Sequence, residues 1–75
     1  MTLCDGKIGG AFRVTGITVG GNITRRLQAL GVNEGTKIEI LNRKKNGALI
    51  IKVRGTRWAL GRLIAGGIRI EEEDR

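Results

Sequence analysis

The sequence predicts a mostly β fold, namely a small five-stranded barrel with one short α-helix, with residues 1–75 forming a single domain. A chain of 75 residues has room for one small hydrophobic core. Its thirteen glycines, several of them in pairs, divide it into brief segments, because glycine adopts the positive φ values of tight turns at little cost. Apolar residues in most of these segments alternate, which is the period of a strand with one buried face. Short alternating segments between turns therefore indicate a small barrel.

The first predicted strand covers residues 12–19 and contains a break in its alternation. Phe12 and Val14 lie at even positions, whereas Ile17 and Val19 lie at odd positions. A β-bulge at Gly16 would insert one residue and turn both pairs toward the same side of the sheet. We therefore expect a bulged strand.

A short helix is predicted next. Its apolar face carries three residues at the spacing i, i+4 and i+7: Ile23, Leu27 and Leu30. Asn22 is the predicted N-cap, and Gly31 is the predicted stop after the last turn. A Schellman motif at Gly31 would bring Val32 back onto the apolar face. Such a short helix depends on packing over the barrel for its stability.

Asn46-Gly47 lies between two alternating runs and predicts a hairpin with a two-residue type I′ turn, because both residues tolerate the positive φ values that this turn requires. That turn would place Ile40 opposite Val53 and Asn42 opposite Ile51. In this register four aliphatic residues share one face of the hairpin: Ile38, Ile40, Ile51 and Val53.

The rest of the chain predicts two more strands. Residues 56–60 alternate, with Trp58 and Leu60 turned inward. A short turn over residues 62–67 then leads to a last strand at 68–70. The acidic run at 71–74 is expected to be a solvated tail that limits pairing at a sheet edge.

The composition excludes most catalytic chemistry. The chain contains no His, Ser or Tyr, so neither a Ser-His-Asp nor a Cys-His arrangement can form, and the usual general base near pH 7 is missing. Cys4 is the single cysteine, and dense carboxylates occur only at 71–74, so no preformed metal site is expected. We therefore predict a protein that is not an enzyme and that carries no cofactor.

The cysteine content and the hydropathy pattern predict a soluble cytoplasmic domain. A single cysteine cannot form an internal disulfide, which is compatible with a reducing compartment. No apolar stretch approaches the roughly 20 residues needed to span a bilayer, and residues 1–10 do not resemble a signal peptide.

Several motifs, taken in order, resemble the FeoA family, which comprises small cytoplasmic proteins with an SH3-like β-barrel that accompany the FeoB ferrous-iron transporter. The motifs are Arg26-Leu27, Leu30-Gly31-Val32, Gly35-Thr36, Val53-Arg54-Gly55-Thr56-Arg57, Ala65 and Ile68-Arg69-Ile70. Two departures are present, since the tight Asn46-Gly47 hairpin is shorter than is usual in the family and residues 1–10 match only loosely.

The resemblance implies a non-catalytic accessory role in ferrous iron transport, in which the chain binds and modulates a FeoB-like membrane transporter with a GTPase domain. We expect the contact surface to be the groove between the helix and the barrel. Its predicted residues are Arg25, Arg26, Leu27, Leu30, Val32, Arg57, Arg62 and Leu63, because interfaces typically combine an apolar centre with a polar rim in which Arg is enriched. The simpler interpretation is that the leucines are core residues and the arginines are solvated.

Two other partners fit the charge of the chain, which has fourteen Lys and Arg against seven Asp and Glu, or +7 net. The basic residues of the hairpin and of strand 56–60 could neutralise nucleic-acid phosphates. However, barrels that bind single strands use exposed aromatic platforms, and both Phe12 and Trp58 fall on predicted core faces. Nucleic acid is thus the disfavoured alternative. Proximity to anionic lipid is also compatible with this charge.

Overall fold

The computed structural model describes residues 1–73, and these form one antiparallel sheet with two helices and an initial 3₁₀ turn at Leu3–Asp5. The strands are β1 (Ala11–Ile17), β2 (Lys37–Arg43), β3 (Leu49–Val53), β4 (Thr56–Leu60) and β5 (Ile68–Glu72). Helix α1 (Gly21–Ala29) connects β1 to β2, and helix α2 (Arg62–Gly66) connects β4 to β5. The strand order is β4-β3-β2-β1-β5. The predicted fold class is confirmed, but α2 stands where a turn was predicted.

The core is formed by the inward face of the sheet together with single residues from the connections. Within residues 1–73 it contains no buried polar or charged side chain. Its largest fully buried members are Phe12, Leu3, Ile38, Ile40, Leu49, Ile51 and Ile68. Burial of such a contiguous apolar set is the main source of stability for a domain of this size.

The bulge predicted in the first strand is present. Val14 pairs with Ile70, and Gly16 pairs with Arg69, so that Thr15 is the extra residue of β1. Val14 is buried, and Ile17 packs against the core from beyond the bulge. The parity change in the sequence was therefore a correct signal of a local insertion.

The predicted type I′ hairpin and its register are wrong. Lys44 donates its amide to the carbonyl of Ala48 (2.8 Å), and Gly47 donates to Lys44 (2.9 Å), so the loop contains three residues. Only Gly47 of the Asn46-Gly47 pair has a positive φ, at 90°, as in a type I turn followed by a glycine bulge.

A second irregularity in the same hairpin restores the buried face. Ile40 pairs with Ile51 and Asn42 pairs with Ile50, which leaves Leu41 as an extra residue in β2. Each insertion shifts the register by one residue, so the two shifts together move it by two residues and leave the side chains beyond Leu41 on the face they were predicted to occupy. The four residues predicted to share a face, Ile38, Ile40, Ile51 and Val53, are accordingly all buried.

Helix α1 ends as predicted and begins differently. Gly31 has a φ of 96°, Val32 donates to the Leu27 carbonyl (2.8 Å), and Gly31 donates to that of Gln28 (3.0 Å), which together form a Schellman motif. The N-cap is Gly20 rather than Asn22. The side-chain oxygen of Asn22 instead accepts a hydrogen bond from Arg25 at 2.6 Å.

The acidic run is not a free tail over the part of it that the structure describes. Glu71 and Glu72 belong to β5, and Glu73 accepts two hydrogen bonds from the Arg13 guanidinium, at 2.7 and 3.0 Å. This bidentate pair attaches the end of β5 to β1. Asp74 lies outside the described residues.

The N-terminal segment is attached to the barrel by a further set of contacts. Ile70 donates its amide to the carbonyl of Met1 (2.9 Å). The Arg43 guanidinium donates to the carbonyls of Cys4 (3.1 Å) and Gly6 (2.9 Å). Arg43 thus has a structural role that the sequence pattern did not indicate.

Candidate partner-binding groove

An apolar groove of about 290 Å³ lies between α1 and α2 on the side of β4. Its floor is formed by Leu27 and Leu60, which are 3% and 4% exposed. Its walls are formed by half-buried apolar residues of the two helices and by one arginine. The full lining is Ile23, Arg26, Leu27, Leu30, Leu60 and Ile64.

The wall on the α1 side follows directly from the helical period. Ile23, Leu27 and Leu30 recur on one face of the helix, and Leu27, at the centre of this stripe, is the member that packs into the core. Ile23 and Leu30 flank it and remain half-buried. The stripe is therefore both a packing surface and one side of an open groove.

The opposite wall comes from α2. This helix turns Ala65 into the core, while Ile64 packs at the edge of the core and lines the groove. Leu63 precedes Ile64 in the chain and is 85% exposed, which is the highest exposure among the large apolar residues of the described chain. An apolar groove and an exposed leucine on the same short helix are features that a partner surface can cover.

The structure brings together only some of the predicted site residues. Arg26, Leu27 and Leu30 line the groove, whereas Leu63 is not among its lining residues and precedes the lining residue Ile64 in α2. Val32 is wholly buried in the core, so the expectation that it contributes an apolar contact at the surface is corrected. Leu27 is likewise almost fully covered and reaches a partner only through the groove floor.

The remaining arginines are placed less directly. Arg57 alternates with the core-packed Trp58 along β4 and so projects from the other face of that strand. The aliphatic part of Arg62 lies against Gly47, where a Cβ would come within 2.9 Å of the Arg62 Cδ atom. Arg25 is exposed and engages Asn22.

Three residues of the groove were not among the predicted site residues: Ile23, Leu60 and Ile64. Ile23 and Leu60 were recognised as apolar members of their elements, but nothing in their spacing indicated that they line the same groove. Ile64 was missed because residues 62–67 were interpreted as a turn rather than as a helix.

The charge in the groove lining is positive, because Arg26 is its charged member. Helix α1, strand β4 and helix α2, which supply the lining, contain no carboxylate. The two carboxylates whose pKa values are lowered, Glu73 and Asp5, lie outside these three elements. The pKa of Glu73 is lowered because the Arg13 guanidinium donates hydrogen bonds to it, and the pKa of Asp5 is lowered because the Thr2 amide donates to it. The pKa of Arg13 is raised by the same contact with Glu73.

A second, wider cavity of about 600 Å³ opens at the beginning of β2 and the turn between β3 and β4. Its charged lining mixes both signs: Glu34, Lys37, Glu39, Lys52 and Arg54. Because the mixed charges favour neither an anion nor a cation, the groove at α1 is the better candidate.

The surface offers little to nucleic-acid bases. Phe12 is 2% exposed, and Trp58 is half-buried against the core, with an indole Nε1 that is buried and has no hydrogen-bond partner among residues 1–73. Stacking platforms require exposed aromatic faces.

The described part of the chain also lacks two other features. It contains no group of three or more His, Cys, Asp or Glu side chains that could hold a metal ion. None of the helices within residues 1–73 is long and apolar enough to cross a membrane.

A five-stranded antiparallel sheet with a helix packed on its open side is the architecture of a small SH3-like domain. Residues 1–72 match the FeoA domain, and the chain belongs to the FeoA family. Membership in this family of transport accessory proteins gives the chain a role in ferrous iron transport.

Relatives agree in sequence and in structure. The chain is 33% identical, over 72 residues, to a Methanocaldococcus jannaschii protein named Fe(2+) transport protein A, with 96% of this chain and 87% of the relative covered. The FeoA protein of Chlorobium tepidum superposes with a TM-score of 0.90 at 27% identity, covering 96% of this chain and 70% of that one. Stenotrophomonas maltophilia FeoA, solved with zinc and described as a prokaryotic SH3 domain protein, superposes with a TM-score of 0.81 at 26% identity, covering 95% and 89%.

Proposed function

We propose that this chain is a non-catalytic cytoplasmic accessory protein of ferrous iron transport, which binds a FeoB-type transporter near its GTPase domain and modulates its turnover. The observation that carries the proposal is the apolar groove between α1 and α2 together with the exposed Leu63, which precedes the groove residue Ile64 in α2. Family membership supports the transport role, and the absence of His, Ser and Tyr from the sequence supports a binding role rather than a catalytic one.

The energetics of the surface favour its burial by a partner. Covering the side chain of Leu63 contributes about 1.5–3 kcal/mol to association, from the apolar area removed from water. The half-buried walls of the groove add to this, while Arg26 at the edge supplies a polar contact. An apolar centre with an arginine at its rim is the usual composition of a protein interface.

The test is binding of the purified chain to the soluble GTPase domain of a FeoB transporter from the same organism, measured by isothermal titration calorimetry. We expect saturable binding that Leu63→Asp abolishes or weakens at least about tenfold, or about 1.4 kcal/mol. Ile8→Asp is the matched control, because Ile8 is a second exposed apolar residue, at 52% exposure, that belongs to neither of the two helices bordering the groove. Circular dichroism would establish that both variants are folded.

Charge reversal tests the other side of the groove. We expect Arg25→Glu combined with Arg26→Glu to remove transporter binding with little loss of thermal stability, because both side chains are exposed. Wild-type protein that fails to bind the GTPase domain, or Leu63→Asp and Ile8→Asp variants that lose binding equally, would contradict the proposal.

A further inference from the structure

The size of the groove limits what can fill it. A cavity of about 150 Å³ accommodates a benzene-sized group, so the 290 Å³ of the groove is enough for roughly two large apolar side chains. The α1 wall runs from Ile23 to Leu30, which corresponds to roughly 10 Å along the helix axis. Two side chains one helical turn apart fit that length.

The backbone of the walls favours a helical occupant. The groove is bordered by α1 and α2, and backbone groups inside a helix already hydrogen-bond to one another. These walls therefore provide no row of free amides and carbonyls for an extended peptide. An occupant that satisfies its own backbone, as a helix does, loses no hydrogen bonds when it is buried here.

The distribution of charged residues favours an occupant with negative charge. All seven carboxylates of the chain lie at positions 5, 34, 39 and 71–74. Arg26 lines the groove, and the three elements around it contain no carboxylate that could neutralise this charge. At physiological ionic strength, charges act over about 8 Å, so a segment lying in the groove experiences the positive charge of Arg26.

We propose that the segment that fills the groove is an acidic amphipathic helix, which places two large apolar side chains one turn apart on Leu27 and Leu60 and directs carboxylates toward Arg26. This inference rests on the proposed function and adds the chemistry of the partner segment. An apolar floor suits a protein helix better than it suits phosphates, which seek cations and hydrogen-bond donors rather than leucines.

Peptide probes test this chemistry with the full chain. The first probe is a labelled helical peptide of about 18 residues, with two leucines one turn apart, glutamates on the flanking positions and alanines elsewhere. The second replaces every glutamate by lysine, and the third scrambles the first. Vesicles of phosphatidylcholine and phosphatidylglycerol and a single-stranded oligonucleotide represent the other anionic partners.

We expect saturable fluorescence-anisotropy binding for the acidic amphipathic peptide and none for the lysine or scrambled peptides. Arg26→Glu should weaken that binding at least about tenfold and should bind the lysine peptide more tightly than the wild-type chain does. Lys7→Glu is the matched control, since it changes the net charge equally and lies at a different cavity beside Glu72. Its affinity for the acidic peptide should stay close to that of the wild type.

Three outcomes would overturn the inference: equal binding of the acidic and scrambled peptides, equal weakening by Arg26→Glu and Lys7→Glu, or binding of vesicles or oligonucleotide in the absence of peptide binding. If the GTPase domain binds while the acidic peptide does not, the chemistry of the segment is wrong and the proposed function stands. If neither binds, the proposed function is wrong as well.

Discussion

Replacing Gly6 by Ala should destabilise the domain through one identifiable contact. Gly6 is buried and has an extended backbone with φ −73° and ψ 144°, which any residue adopts, so backbone strain does not enter. A Cβ at this position would lie 2.5 Å from the Ile40 Cδ1 atom and 3.0 Å from Phe12 Cε2. Both neighbours are core side chains with almost no exposed surface.

The size of the expected loss of stability follows from how closely the added methyl group would approach its neighbours. Ordinary carbon contacts begin at 3.4 Å, so the Ile40 contact is 0.9 Å too short. Overpacking of this kind costs about 1–3 kcal/mol. A loss of about 2 kcal/mol would lower the melting temperature of a domain of this size by roughly 8–16 °C.

A double-mutant cycle with Ile40→Val separates this clash from other effects. Ile40→Val removes Cδ1 and alone costs about 0.5–1.5 kcal/mol. In the double variant the shortest contact is absent. Its loss in free energy of unfolding should therefore be about 1 kcal/mol smaller than the sum of the losses of the two single variants. The contacts of the new methyl group with Phe12, at 3.0 and 3.1 Å, remain and make the rescue partial.

The assay is urea denaturation followed by far-ultraviolet circular dichroism, with the midpoint and slope fitted for each variant. Gly21→Ala is the control, because a Cβ there meets nothing within 4 Å and the residue is helical. We expect it to be neutral or stabilising by up to about 1 kcal/mol. Additivity within about 0.5 kcal/mol, or an unchanged midpoint for Gly6→Ala, would refute the packing argument.

Two further predictions concern a turn and an ion pair. Arg54 is the single non-glycine residue with positive φ among residues 1–73, at 51°, and it lies in the two-residue turn between β3 and β4. Because Asn tolerates this conformation better than Arg, Arg54→Asn should raise the free energy of unfolding by about 0.5–1 kcal/mol, measured by urea denaturation. A lower free energy of unfolding would show that the packing of the Arg54 side chain on Gly31 outweighs the strain. The Glu73 pKa is lowered in the folded state by Arg13, so the ion pair stabilises the fold above the ordinary carboxyl pKa and the contribution disappears as the pH falls through the lowered value. Glu73→Gln should therefore melt below the wild type at pH 7 and approach it at pH 3, measured by thermal denaturation. Parallel pH curves for wild type and Glu73→Gln would contradict this assignment.

Local patterns predicted the elements of the fold well where a single physical rule decided the outcome. The parity change around Gly16 predicted the bulge, and Gly31 predicted the end of α1, because few other conformations satisfy those patterns. The hairpin failed because Asn46-Gly47 suits two turn types. The choice between them depends on the bulge at Leu41, which leaves no mark in the alternation.

The candidate site was predicted only in part, because a groove depends on which elements meet in space. The α1 stripe identified Leu27 and Leu30, and the resemblance to the family directed attention to the helix. Ile64 depended on recognising a helix of only five residues, Arg62–Gly66, which is too short to show a period. The burial of Val32 was implicit in the Schellman motif, since that motif returns the residue after the glycine to the helix it ends.

The two extra residues in the β2–β3 hairpin, one in the loop and one at Leu41, determine which length changes this family can accumulate there. A gain or loss of one residue inside β2, between Ile40 and the loop, would turn Ile38 and Ile40 out of the core unless a bulge absorbed it, whereas a change of two residues leaves them inside. A change in the loop between Lys44 and Ala48 leaves the strand pairing intact. Alignments of relatives should therefore place single-residue gaps of this hairpin in the loop or at the Leu41 bulge, because such a gap elsewhere in β2 would misassign every core position on one side of it.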